Sequence, residues 1–171
     1  MEYINKTILV LLFSVCLLET SCFCQEVKTD STDEIIKNIR KEFSKINSDT
    51  AKFRVVQQDM NDQSAEGGTM KKYYDGNVLR KAILTFYGET GQSTSEYYFS
   101  NGQLFFCFER TKTYSQSISA GKTTVSKIEE NRYYFNGQRL IRWINSSGKI
   151  TNKNLYPVKE KEVLADLKDI H

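Results

Sequence analysis

Five glutamates, Glu89, Glu96, Glu109, Glu129 and Glu130, fall in the part of the chain that reads as sheet. Two carboxylates held ~5–10 Å apart can share acid and base, or acid and nucleophile, roles on a glycosidic bond. A carboxylate-dependent hydrolase is therefore one reading, with Glu89 and Glu96 as its first pair. The competing reading makes these glutamates solvent-facing partners of Arg110, Arg132, Arg139 and Arg142. Other catalytic devices lack parts. The single histidine is His171 at the very end of the sequence, so a Ser/His/Asp or Cys/His relay has no internal base and a Cys/His zinc site has no ligand set. Ala120-Gly121-Lys122-Thr123 imitates the end of a phosphate loop. The glycine which that motif requires five places before Gly121 is Gln116 here, and a strand rather than a helix follows. No cofactor is expected.

Aromatic side chains are better suited to function by binding. Tyr97, Tyr98, Tyr133, Tyr134, Arg142 and Trp143 are the candidate binding residues. Flat rings stack on sugar, peptide or lipid, and a guanidinium adds charge. The alternative is that the same rings fill a core, with tyrosine hydroxyls reaching its rim. Cys107 lies inside Phe105–Phe108 (FFCF) and reads as a small buried hydrophobe rather than a nucleophile, because activation needs a base or a positive field beside it.

The elements that must position these residues are hairpins. KKYYDGNVL (Lys71–Leu79), EYYFSNGQL (Glu96–Leu104) and RYYFNGQRL (Arg132–Leu140) each run paired tyrosines into an Asn, Asp or Gly turn and out into an apolar strand. Aromatic and β-branched residues suit a pleated, half-buried surface. Strands are expected at Lys52–Asp59, Thr69–Tyr74, Val78–Tyr87, within Ser95–Arg110, at Lys127–Phe135 and Arg139–Asn145, with a final edge strand at Ile150–Tyr156. A tight turn at Asn101-Gly102 needs positive φ at both positions. With strict alternation it pairs Phe99 with Leu104, Tyr97 with Phe106 and Ser95 with Phe108, leaving Tyr98, Phe105, Glu96 and Cys107 on the other face. Thr111–Ser126, rich in Ser and Thr, is either a long loop or a pair of strand extensions. The hairpin units are unequally spaced, so they belong to one meander rather than a stacked array.

Two helices flank the strands. Ser31 with Glu34 forms a capping box, and Ile35, Ile36, Ile39, Phe43 and Ile46 recur at helical spacing. Pro157 suits a first helical position, and Val163, Leu164, Leu167 and Ile170 make a closing stripe. The expected fold is α+β: a meandering antiparallel sheet of about six to seven strands with an N-terminal and a C-terminal helix packed on it. Both helices are expected to brace its back, leaving an aromatic and basic face for use.

Export is expected from the first residues. After Lys6, Thr7–Leu18 (TILVLLFSVCLL) is apolar but shorter than the ~20 residues that span a bilayer. Glu19–Cys24 then resembles a cleavage region. The reading is a signal peptide over residues 1–24 and a single domain from Gln25 to His171, with no transmembrane span in the mature chain. Processing as a lipoprotein at Cys22 is the alternative, which would tether the chain to the outer membrane. The protein is thus expected to be periplasmic or secreted. A net charge of +3 over 171 residues is too mild to imply nucleic acid.

The segments YYFSNGQLFFCFER and ENRYYFNGQRLIRW resemble an uncharacterised group of small exported bacterial proteins with YYF-x-NG-x-L hairpins. The hairpin unit is also similar to the variant MORN-type repeat. That resemblance covers Lys71–Asn145 and implies no activity and no catalytic residue. The functional expectation is a non-enzymatic envelope protein that binds an unknown protein, glycan or peptide partner. The alternatives are an inhibitor or immunity-type protein that docks Gly88–Thr94 or Thr111–Ser126 into an enzyme, and the hydrolase above.

Overall fold

The computed structural model describes residues 31–60 and 66–170. The leader, Cys22, Gln25 and His171 lie outside the described residues. Helix α1 (Thr32–Asp49) is followed by seven strands, β1 (Arg54–Asp59), β2 (Gly68–Asp75), β3 (Val78–Gly88), β4 (Gly91–Ser100), β5 (Gln103–Tyr114), β6 (Val125–Asn136) and β7 (Arg139–Ile144). Helices α2 (Tyr156–Ala165) and α3 (Leu167–Ile170) close the chain. The strands form one antiparallel sheet in sequence order, β1-β2-β3-β4-β5-β6-β7. This is the expected α+β meander with a helix at each end.

The two ends pack on opposite faces, not together on the back. Ser31 caps α1 by accepting a hydrogen bond from the Glu34 amide at 3.3 Å. The helix then lays Ile35, Ile36, Ile39, Phe43 and Ile46 against Tyr98, Phe106 and Tyr134. Tyr156, Val163, Leu164, Leu167 and Ile170 cover the other side, against Tyr97, Phe99, Cys107, Tyr133 and Phe135. Adjacent tyrosines point to opposite sides of a strand, so each Tyr-Tyr pair supplies one ring to each layer. A sheet apolar on both faces needs two covers, and the terminal helices provide them.

The three aromatic hairpins share one construction. Each closes with a two-residue loop: Gly76-Asn77 between Asp75 and Val78, Asn101-Gly102 between Ser100 and Gln103, and Gly137-Gln138 between Asn136 and Arg139. The first loop position has positive φ in all three, 59° at Gly76, 50° at Asn101 and 60° at Gly137, as primed hairpin turns require. In each outgoing strand a bulge follows the leucine. Tyr74 pairs with Leu79 but Tyr73 with Lys81, Phe99 with Leu104 but Tyr98 with Phe106, and Phe135 with Leu140 but Tyr134 with Arg142. Arg80, Phe105 and Ile141 are the extra residues. A bulge places two consecutive residues opposite one and shifts alternation by one.

The bulges correct the strictly alternating register. Tyr97 pairs with Cys107, not Phe106, and Ser95 with Glu109, not Phe108. Cys107 joins the Tyr97 face, while Phe106 and Phe108 join Tyr98. Leu79 likewise packs with Ala82, Leu84 and Phe86.

Other boundaries shift for local reasons. Thr50–Lys52 continues α1 as a 3-10 turn, so β1 starts at Arg54. Strand extensions and loop both occur in the Thr111–Ser126 segment: β5 reaches Tyr114, β6 starts at Val125, and a 3-10 turn occupies Ile118–Ala120. Ile150–Tyr156 does not form the expected edge strand. A single bridge joins Ile144 to Ile150, and the Asn152 carboxamide then accepts from the Asn154 amide at 3.0 Å, turning the chain into α2. This segment still blocks the β7 edge. Thr151 N–H donates to Trp143 C=O at 2.9 Å, the Tyr156 hydroxyl takes Trp143 N–H at 3.1 Å, and the Glu160 carboxylate takes Leu140 N–H at 2.6 Å. No described helix is long and apolar enough to cross a membrane.

Candidate functional site

The candidate binding residues fall into two rows that cross the sheet. Tyr97, Cys107, Tyr133 and Trp143 are successive partners from β4 to β7, and so are Tyr98, Phe106, Tyr134 and Arg142. The structure therefore brings Tyr97, Tyr133 and Trp143 together under α2, and Tyr98, Tyr134 and Arg142 together under α1. It does not gather all six on one face. The four tyrosines are buried, with Tyr134 the most exposed at 4%.

The α2 row is closed. The Tyr97 hydroxyl donates to Asp166 Oδ2 at 2.5 Å, Tyr133 to Glu109 Oε2 at 2.6 Å, and Trp143 Nε1 to Asn131 Oδ1 at 2.9 Å. Burial, reinforced by the neighbouring Cys107 and Asp166, pushes the Tyr97 phenol far above its ordinary value. Burial is also the main force holding the Cys107 thiol up, with Glu109 adding to it. Cys107 is the free cysteine among the described residues, and it is a packed core atom.

The α1 row is partly open. A cleft of about 490 Å³ lies between α1 and the β3–β6 face. Five rings line it, Phe43, Tyr98, Phe106, Phe108 and Tyr134. Phe43 sits 4.9 Å from Tyr98 and 5.1 Å from Phe106 between ring centroids, and Phe106 sits 5.0 Å from Tyr134. At these separations tilted aromatic pairs attract, so α1 holds the inner wall in place through Phe43. The wall is then completed by strands that carry charge at alternate positions.

At one end of the cleft is a small polar network. Lys81, 7% exposed, pairs with Glu96 Oε2 at 2.7 Å, donates to Asn47 Oδ1 at 3.1 Å and lies 4.8 Å from the Tyr98 ring centre. The Tyr98 phenol donates to the same Glu96 oxygen at 2.5 Å and lies 3.1 Å from Asn47 Oδ1. Burial, then the hydrogen bond to Glu96, raises its pKa strongly. The other end is cationic. Arg110 and Arg132 flank Phe108, 5.2 and 5.3 Å from its ring centre. Glu130 bridges them, one oxygen 2.9 Å from Arg110 and the other 2.9 Å from Arg132. The guanidinium of Arg110, followed by that of Arg132, holds the Glu130 carboxyl below its usual range. Arg40 reaches over Tyr134 at 5.9 Å.

Glu89 and Glu96 are not brought together as a pair. Glu89 sits at the β3–β4 turn, accepting from the Ser117 hydroxyl at 3.4 Å. Glu96 is five positions inside the strand that begins at Gly91, about 16 Å further along at the usual strand rise. Glu109 faces the α2 side through Tyr133, and Glu129 pairs with Lys127 at 2.9 Å. Among the described residues no group of three or more His, Cys, Asp or Glu could hold a metal. Gly121 and Lys122 lie in the β5–β6 loop after a 3-10 turn, without the helix that a phosphate loop needs.

Comparison of the chain with protein-family models, with curated proteins and with solved structures returned no match.

Arg40, Phe43, Asn47, Lys81, Phe106 and Phe108 line the cleft but were not singled out as binding residues by the sequence pattern. The signal that finds Phe106 and Phe108 is the unbroken run Phe105–Phe108. Four apolar residues in succession within a strand cannot serve one face by simple alternation, so a bulge or two buried faces is implied.

Proposed function

We propose that this chain is an exported, non-enzymatic binding protein whose ligand site is the cleft between α1 and the β3–β6 face. One observation carries the reading: an open volume of about 490 Å³ lined by five aromatic rings and rimmed by arginines. That volume is within the range of small-molecule sites, which are mostly apolar with a few placed polar groups. Of the anticipated binding residues Tyr98 and Tyr134 line the cleft, whereas Arg142 pairs with Asp33 instead; α1 supplies the opposite wall. A thermal-shift screen of small amphipathic compounds tests the site. Ligands should raise the melting temperature of the wild type, by an amount that grows with concentration over Kd, and leave Arg40→Trp, which fills the mouth, unmoved. Shifts that persist in Arg40→Trp, or none in the wild type, would refute it. Export is tested by intact mass: a chain starting at Gln25, or diacylglycerol on Cys22, supports it, whereas recovery of a chain starting at Met1 from expressing cells contradicts it.

A second reading, docking of loops into a partner enzyme, is favoured by a separate observation. The two candidate loops are bonded to each other. Ile118 N–H donates to Glu89 C=O and Tyr114 N–H to Thr90 C=O, both at 2.9 Å, while Gln116 Nε2 donates to Lys122 C=O at 2.8 Å. A stoichiometric protein partner recovered with the chain from envelope extracts, and lost on Ile118→Asp, would favour this reading.

A further inference from the structure

We infer that the cleft under α1 takes a small, flat organic anion, with its ring on Phe43, Phe106 and Tyr134 and its charge at the Arg40, Arg110 and Arg132 end. This rests on the reading of the cleft as a ligand site and adds the chemistry of the ligand. The apolar part follows from the walls, which are rings and the Ile39 side chain. Flat partners lose little freedom on entering a slot made of rings. The charge follows from the lining. Arg40, Lys81, Arg110 and Arg132 face a single lining carboxylate, Glu96, and Glu96 is already taken by Lys81 and Tyr98. Arg40 has no carboxylate partner among the described residues; its recorded neighbour is the Tyr134 ring. Glu130 marks where an anion sits well, since its two oxygens bridge Arg110 and Arg132 beside Phe108. Each guanidinium has more donors than Glu130 uses, so a ligand carboxylate or sulfonate can join the cluster from the cleft side. Glu130 then acts as an internal competitor that lowers the affinity for that ligand.

The test compares two probes with the same ring system, 1-anilinonaphthalene-8-sulfonate and the uncharged N-phenyl-1-naphthylamine, titrated by fluorescence into natively folded protein. The sulfonate should bind at least ~10-fold tighter, the worth of one charge-assisted hydrogen bond. Arg40→Gln and Arg132→Gln should each remove most of that preference without changing the neutral probe. Glu130→Gln should tighten the sulfonate about three-fold or more by freeing both guanidinium groups. Arg40 makes no ion pair among the described residues, so its replacement removes no salt bridge seen there, and a cooperative melt checks each variant. 2-Naphthoate should displace the sulfonate. Equal affinity for the two probes, or a preference that survives both arginine replacements, would overturn the anion assignment and leave an apolar site. Failure of both probes to bind would overturn the cleft itself.

Discussion

Tyr98 lies across the β4–β5 ladder from Phe106, with ring centroids 5.7 Å apart. Phe105, one residue earlier in β5, also turns to Tyr98, at 6.4 Å. Both phenylalanines serve the α1 face because Phe105 is the residue in excess. Leu104 before them and Cys107 after them serve the α2 face. The bulge therefore decides which aromatic rings build the cleft and which build the closed core.

Deleting Phe105 should leave the chain folded. Leu104 would then be followed directly by Phe106, and simple alternation would keep every pair from Tyr98–Phe106 to Gly91–Thr113. The cost is the packing of one half-buried ring, about 1–3 kcal/mol. Deleting Cys107 instead also removes the residue in excess and keeps every pair from Glu96–Phe108 onward, but Phe105 then faces Tyr98 and Phe106 takes the place of Cys107 between Tyr97 and Tyr133. A phenylalanine overpacks that filled row and should cost more, about 3 kcal/mol or above. Urea unfolding of the two deletions distinguishes them: a modest drop in midpoint for the first, a larger one for the second.

Cys107 is fully buried between Tyr97 and Tyr133, with its thiol held in the protonated form by burial. In a chain with Cys16, Cys22 and Cys24 replaced by serine, Ellman's reagent should fail to label Cys107 in the native protein and should label it on unfolding. Cys107→Ala should cost about 1 kcal/mol, and Cys107→Ser more, about 1–3 kcal/mol, because its hydroxyl must find a partner in an apolar row. Rapid native labelling would contradict this packing.

The sheet, its order and both helix stripes were legible because each depends on local pattern. Ser31 with Glu34, and the spacing from Ile35 to Ile46, specify α1 without reference to anything distant. The turn residues fix the hairpins in the same way. Which face each helix covers was not legible, because β4 and β6 are apolar on both sides and Tyr97 and Tyr98 differ only in direction. The bulges were hidden for a related reason: Phe105–Phe108 has no polar residue to show where alternation slips. Arg40, Phe43 and Asn47 belong to the cleft only because α1 crosses Tyr98 and Tyr134, a long-range packing fact. The short segment after Ile150 looked like a strand, but Asn152 turns it away after one bridge.

Lys81 and Glu96 form a largely buried ion pair that shares Tyr98 as a neighbour, with Asn47 accepting from Lys81. Replacing Lys81 by Met should cost about 2–4 kcal/mol, since it leaves the Glu96 carboxylate without its cation. The side chain of Glu96 keeps 22% exposure, which places the cost below that of a wholly buried pair. Adding Glu96→Gln should recover part of the loss, giving a double variant more stable than the sum of its parts. Strict additivity in denaturant melts would show that the pair is not coupled.

Asp166, at the junction of α2 and α3, accepts the Tyr97 hydroxyl at 2.5 Å. Burial raises its carboxyl above the ordinary 3.8, with Asp169 and Glu162 adding to the rise and Tyr97 and Lys159 opposing it. The folded state thus holds the Asp166 proton more tightly than the unfolded chain does. Between 3.8 and the raised native value the native protein carries the extra proton, so stability falls as pH climbs through that window. What this carboxyl contributes is fully present below 3.8 and lost above the native value. Asp166→Asn keeps an oxygen for Tyr97 and removes the buried charge. The variant should therefore melt higher than the wild type at pH 7, and the gap should close as the pH is lowered toward 3. Melting curves of both proteins across that range decide the matter. A gap that widens on acidification would mean that the Asp166 carboxylate is stabilised by Lys159 more than burial opposes it.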